Sequence, residues 1–260
     1  MMTKTKLGLV AGCLVLAGAG SARADRRAFT HTYEYMTQPK GNLELEFWNT
    51  QETARYATDS DTAFRSEVEV EYGITDHWDI ALYQIYEGGE AGGVPVLGYH
   101  ETKLESRYRL AERGEWPVDV VLYLEVFKPF GIAAVGTEPK LILARDFGPV
   151  TVAANVAVEA DPGEEADATG KIKVKYEFEP QFAAGFTWEA DPEWKLGAES
   201  WGNFEAFEGG ATGGYGVYAG PALNWSPSAR LWTTATAGFL LTGFDDASKF
   251  VFSFGIGLHL

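Results

Sequence analysis

From Phe250 to Leu260 the chain alternates without a break. Phe250, Phe252, Phe254, Ile256, Leu258 and Leu260 fall on one face, and Val251, Ser253, Gly255, Gly257 and His259 on the other. Period two is the mark of an extended strand with one greasy face; a helix, with period 3.6, would scatter the same residues around its axis. The pattern recurs along the chain in segments of about ten residues separated by turn residues, the spacing expected of membrane-crossing strands. After residue 24 no uninterrupted apolar run approaches the ~18 residues that a transmembrane helix needs. Amphipathic ribbons that cross hydrocarbon have to satisfy their backbone polar groups strand to strand, and only a closed barrel does so completely.

The N-terminus supplies the compartment. Lys4 and Lys6 form a positive start, residues 7–18 are apolar, and Ala22-Arg23-Ala24 is a small-residue exit, the three parts of a secretory signal. Val10-Ala11-Gly12-Cys13 competes as a lipidation box. Few apolar residues precede Cys13 and the apolar run continues past it, which favours cleavage after Ala24. Cys13 is the one cysteine of the chain, so the remaining residues hold neither a disulfide nor a thiolate metal site. Signal removal takes three of the 21 basic residues and none of the 37 acidic ones, moving the formal net charge from −16 to −19. A balance this acidic argues against nucleic acid as a partner.

Twelve candidate strands follow: 42–50, 62–73, 78–87, 101–111, 117–128, 138–146, 149–159, 172–188, 193–204, 215–226, 230–241 and 249–260. The sixth has the weakest pattern. The eighth keeps its parity from Ile172 to Trp188, longer than a bilayer core at ~3.3 Å per residue, so its first half is expected to protrude. Pro180 cannot donate to a ladder and is expected to mark a bulge there. Wide links (50–61, 88–100, 128–137, 160–170, 205–214, 242–248) alternate with tight turns (73–77, 112–116, 146–149, 189–193, 226–229). Short turns belong on the periplasmic side and long loops outside, with both termini periplasmic when the strand number is even. The expectation is an all-β, transmembrane, up-and-down antiparallel β-barrel of about 12 strands in the outer membrane of a Gram-negative bacterium. Residues 1–24 are its signal, 25–40 a periplasmic or lumenal segment, and 41–260 the barrel.

Tryptophan supports one rim. Trp78, Trp116, Trp188, Trp194, Trp225 and Trp232, six of eight, lie at or beside tight turns, the place of an aromatic girdle at a membrane interface.

Three stretches carry a resemblance: Phe29-Thr30-His31-Thr32-Tyr33-Glu34-Tyr35 with Pro39-Lys40-Gly41-Asn42-Leu43-Glu44-Leu45-Glu46; Glu71-Tyr72-Gly73-Ile74-Thr75-Asp76-His77-Trp78; and Pro117-Val118-Asp119-Val120-Val121-Leu122-Tyr123-Leu124-Glu125. Over most of its length the chain resembles a group of uncharacterised proteobacterial outer-membrane β-barrel proteins and, more distantly, the transporter-like outer-membrane proteins assigned to phenol degradation. The resemblance implies architecture and assigns no substrate, cofactor or catalytic residue. It also implies recognition of the C-terminal strand by the barrel assembly machinery, where Leu260 departs from the usual terminal Phe.

Turning the polar parity inward lines the lumen with Glu44, Glu46, Arg65, Glu67, Glu69, Glu71, Lys103, Glu105, Arg107, Arg109, Asp119, Glu125, Glu177 and Glu179 on the earlier strands. The last three strands offer mostly Gly216, Gly220, Ala222, Thr234, Thr236, Gly238, Ser253, Gly255 and Gly257. Glu rows on the first two strands repel unless countered, and Arg65, Arg107 and Arg109 are the expected counter-charges. The small wall leaves room for long side chains, for water or for a peptide. Residues 25–40, with Arg26, Arg27 and Lys40, are candidates for a plug in the acidic lumen, or for an extra strand at the periplasmic rim. Asp161, Glu164, Glu165 and Asp167 crowd one wide link as a weak divalent-cation candidate whose spacing matches no calcium loop. The four histidines form no His-x-Ser pair, and no metalloprotease, phosphate-loop or nucleophile-elbow motif is present. No catalytic residue or cofactor is expected. The expected function is a passive channel or transporter-like porin for small solutes, with outer-membrane lipid as its surroundings. The alternatives are a non-conducting structural or surface-interaction barrel and, more remotely, a lipid hydrolase.

Overall fold

The computed structural model describes residues 27–53, 62–91, 94–166, 169–204, 215–244 and 247–260. The expected signal, Asp25, Arg26 and Asp167 lie outside them. Twelve strands run in order: β1 (Leu43–Thr53), β2 (Thr62–Thr75), β3 (Trp78–Ala91), β4 (Val94–Arg109), β5 (Asp119–Pro129), β6 (Gly136–Phe147), β7 (Val150–Ala166), β8 (Ile172–Glu189), β9 (Trp194–Phe204), β10 (Tyr215–Trp225), β11 (Leu231–Gly243) and β12 (Phe250–His259). Each pairs with the next, and β12 closes on β1 from Glu44↔His259 to Thr53↔Phe250. Closure removes both sheet edges, the condition for a sheet in hydrocarbon. The weakly patterned sixth segment is a full strand.

The alternation resolves into an inside and an outside. On β12, Val251, Ser253, Gly255, Gly257 and His259 are buried, while Ile256 and Leu258 are exposed. Leu104 and Leu122, on β4 and β5, leave 52% and 47% of their surface free of protein contact. In water a belt of this kind would forfeit about 1.5–3 kcal/mol per large side chain and far exceed the patch a soluble protein leaves bare. Lipid removes that cost.

Five tight connections gather at one end, between β2 and β3, β4 and β5, β6 and β7, β8 and β9, and β10 and β11. The two-residue link 148–149 needs a left-handed residue, and Gly148 supplies it at φ 63°. Two wide links differ from expectation. Residues 88–91 and 94–100 extend the β3–β4 ladder to Ala91↔Val94, and β7–β8 continue to Ala166↔Ile172. Backbone pairing needs no particular side chain, so Gly88, Gly89 and the acids of β7 enter strands despite their loop-like composition. β8 pairs with β9 only from Gln181 to Glu189, so its first half protrudes joined to β7 alone. Pro180 causes no register shift; it sits opposite Val158, one residue beyond the last pair with β9, where a missing N–H costs no ladder bond.

Candidate functional site

The lumen is occupied by the chain itself. Residues 27–42 precede β1 and form no strand. They cross from the β10–β12 wall to the β3–β7 wall, and Ala28, Phe29, Thr32, Tyr35 and Gln38 are essentially fully buried.

Side chains of the wall take up the segment's backbone. Glu199 on β9 accepts from three successive amides, Thr30 and His31 (both 3.0 Å) and Thr32 (2.9 Å), from the hydroxyls of Thr30 (2.9 Å) and Thr32 (3.0 Å), and from Thr236 Oγ1 (2.5 Å). Asn155 imitates a strand neighbour: its Oδ1 accepts from Tyr33 N at 2.6 Å and its Nδ2 donates to Tyr33 O at 2.9 Å. Asn224 Nδ2 and Thr234 Oγ1 donate to the carbonyls of Arg27 (2.9 Å) and Ala28 (3.0 Å). Asp79 Oδ2 accepts from Gln38 N at 2.7 Å, and Tyr35 donates to Ala111 O. An extended backbone buried without such partners would be prohibitively costly.

The small wall admits this filling. A Cβ at Gly255 would collide with the Trp48 ring, one at Gly257 with Trp232, one at Gly238 with Trp201, and one at Gly185 with Phe29. Trp201 in turn stacks on the His31 ring, centroids 3.8 Å apart.

The acidic rows meet head-on, with Glu44 opposite Glu71 and Glu46 opposite Glu69. All four, with Glu105, are at most 2% exposed. Arg107 joins Glu71 and grips Asp79 with Nε at 3.1 Å and Nη2 at 2.8 Å, the bidentate geometry guanidinium favours. Of the other two expected counter-charges, Arg65 serves one row member, Glu67, and Arg109 lies at the tight-turn end. Arg65 turns to Glu67 (2.9 Å), Glu87 (2.5 Å) and Glu101 (2.8 Å). Arg109 serves the tight-turn end through Thr37 Oγ1 (2.8 Å) and Asp76 O. A further charge near the rows comes from the segment: Arg27 Nη1 lies 4.0 Å from Glu46, its guanidinium over the Tyr33 and Trp48 rings at 4.2 and 4.3 Å.

The remaining sequence-predicted residues divide by height. Glu67, Lys103 and Glu125 line the cavity at the long-link end, with Lys103 Nζ 2.7 Å from Glu125. Asp119 is buried and caps a turn by accepting from Gly114 N at 2.7 Å. Glu177 is exposed on the protruding hairpin, and Glu179 is half-buried opposite Glu159. The acidic link is dispersed: Asp161 and Glu165 share one face of β7 and Glu164 the other, with Glu164 taking the Ala133 amide at 2.8 Å. Five of the six rim tryptophans stay at the tight-turn end, with Trp194 and Trp225 paired across strands and stacked at 5.7 Å. Trp232 leaves the girdle. It is 1% exposed inside the barrel and donates from Nε1 to Glu44 Oε1 at 2.5 Å. The parity that turns Thr234 and Thr236 inward turns Trp232 inward as well.

The segment separates two cavities. One of ≈ 1070 Å³ opens among the long-link ends and has Arg27, Thr30, His31 and Tyr33 for its floor. It is lined by eight carboxylates against four Arg or Lys and two His. The other, ≈ 390 Å³, lies at the tight-turn end, with Glu34 and Met36 from the segment facing Thr151, Thr187 and Lys195.

The sequence matches no protein-family model and no curated protein. Among solved structures, the chain is similar to the NanC porin (10% identity, TM-score 0.58, covering 84% of this chain and 100% of that one). It is also similar to the KdgM porin (6%, 0.53, 83% and 98%) and to the translocator domain of autotransporter NalP from Neisseria meningitidis (11%, 0.51, 84% and 88%). These similarities establish a shared architecture, the closed antiparallel β-barrel.

Proposed function

We propose that the protein is an outer-membrane channel for small cationic or polar neutral solutes, held shut at mid-height by its own N-terminal segment. The observation that carries this reading is that the N-terminal segment lies between two cavities, Arg27, Thr30, His31 and Tyr33 lining the larger and Glu34 and Met36 the smaller. A barrel whose lumen is blocked by a tethered peptide conducts once the peptide shifts, whereas one filled by its own wall does not. Similarity in fold to two porins, NanC and KdgM, supports the channel class. The excess of carboxylates in the larger cavity supports preference for cations, since a concave acidic wall concentrates counter-ions.

In this orientation the long links face the exterior, the tight turns and both termini face the periplasm, and a signal spanning 1–24 brings the chain there. Assembly would proceed through β12, and kinship with uncharacterised proteobacterial barrels fits the stretches of sequence named above. The reading contains no chemical step.

Glu199 is the latch. Hydrogen bonds to a charged group contribute about 1.5–3 kcal/mol each before mutual dependence is counted, and this carboxylate collects five from the segment. Refolded wild-type protein in a planar bilayer is expected to show rare, brief currents. Glu199→Ala is expected to raise open time at least tenfold, with the reversal potential in a salt gradient moving toward that of the cation. A Glu199→Ala barrel, correctly folded and silent above lipid background, would remove the channel reading.

A further inference from the structure

We propose that Glu44, Glu46 and Glu71 of the wall, with Gln38 of the N-terminal segment, form a site for one hard divalent cation of the calcium class. One carboxylate oxygen from each of the three glutamates lies within 4.8 Å of the other two. Glu44 and Glu71 are directly paired across β1 and β2, and Glu46 lies two residues along β1 on the same face, so the ladder sets the spacing.

The second observation is on the segment. Gln38 is 1% exposed, and its Oε1 has no hydrogen-bond partner, while the Nε2 of the same amide abuts Glu44 Oε2. The amide therefore reaches the carboxylates with an unserved acceptor beside them. A half-turn of its terminal torsion exchanges nitrogen for oxygen and presents a neutral fourth ligand at that point.

The groups behind the carboxylates are arranged as those behind metal ligands are. Trp232 Nε1 donates to Glu44 Oε1 at 2.5 Å, Trp48 Nε1 to Glu46 Oε2 at 2.7 Å, and Arg107 to Glu71 Oε1. Each bond fixes one oxygen of its carboxylate, and the second oxygen of Glu44 is the one that meets the Gln38 amide. Charge points the same way. Glu44, Glu46, Glu69, Glu71, Glu105 and Asp79 are buried together; among the described residues Arg27 and Arg107 lie against them, and His259 Nε2 is 3.3 Å from Glu44. Carboxylates buried side by side repel one another strongly, and a dication among them offsets two. A donor set of oxygens alone selects calcium or magnesium over zinc or copper, and three carboxylates with a flexible amide suit the looser geometry of calcium. The ion would tie the segment to the β1–β2 wall at the far side from Glu199.

The test reads binding without current, so it stands or falls separately from the channel reading. Equilibrium dialysis of the refolded barrel in detergent against radioactive Ca²⁺ is expected to give one ion per chain. Glu46→Gln and Gln38→Leu should each weaken binding at least tenfold, and the double change Glu164→Gln with Glu165→Gln should leave it unaltered. Heat-dependent gel mobility checks folding. If Glu46→Gln does not fold, Gln38→Leu, which alters no strand, decides. No bound Ca²⁺, unaltered affinity in Gln38→Leu, or loss of binding in the Glu164/Glu165 variant overturns the proposal.

Discussion

Gly255 shows how much a missing side chain can decide. It sits on the inward face of β12 opposite Trp48, and a Cβ there would strike the indole ring. Displacing that ring would break its N–H bonds to Glu46 (2.7 Å) and Glu69 (3.2 Å), two carboxylates with few other donors. Gly255→Val is expected to lower unfolding stability in urea by roughly 1–3 kcal/mol, the usual range for overpacking; a variant as stable as the wild type would show that the lumen is looser than described. The inward direction of Gly255 was legible from period two alone. Which aromatic it admits was not, because that depends on the register of β1 against β12, and nothing local encodes it. Trp232 was mislocated for the opposite reason: proximity to a tight turn outweighed the parity shared with Thr234. Glu199 went unsingled because one carboxylate among many carries no periodic signal, and its partners lie 167 to 169 residues away.

Strands were the most legible elements, since each carries its own alternation and its neighbours in the barrel are its neighbours in sequence. Their ends were less so. β3, β4 and β7 outrun their apolar stretches because ladder bonds continue through Gly88, Gly89 and Glu164. Pro180, expected to disrupt β8, marks where its second partner ends. The lipid-facing side of a strand makes the sharpest element-level prediction. Leu122 points outward near the middle of β5, between the inward Val121 and Tyr123. Leu122→Arg should cost about 2–4 kcal/mol in unfolding from lipid vesicles, as expected for a charge near the bilayer midplane. Absence of any such cost would mean that this face of β5 does not meet hydrocarbon.

At the scale of the whole molecule the barrel behaves as a container fitted to residues 27–38 of its own chain. The segment carries few regular signals of its own; its conformation is imposed by Glu199, Asn155, Asn224 and Asp79 on four different strands. That is why the sequence left a lumenal plug and a rim strand equally open, and why the wall's glycines made sense only with Trp48, Trp201, Trp232 and Phe29 in place. The central claim is that residues 27–38 divide the lumen into compartments that do not communicate. Single cysteines report on it directly, because the chain's one native cysteine is Cys13. Gln181→Cys lines the larger cavity and Thr151→Cys the smaller. In intact cells treated from outside with a charged, membrane-impermeant thiol reagent, the account predicts rapid labelling at position 181 and none at 151, with position 151 becoming reactive when Glu199→Ala is added. Equal labelling of both positions in the otherwise wild-type barrel would contradict it.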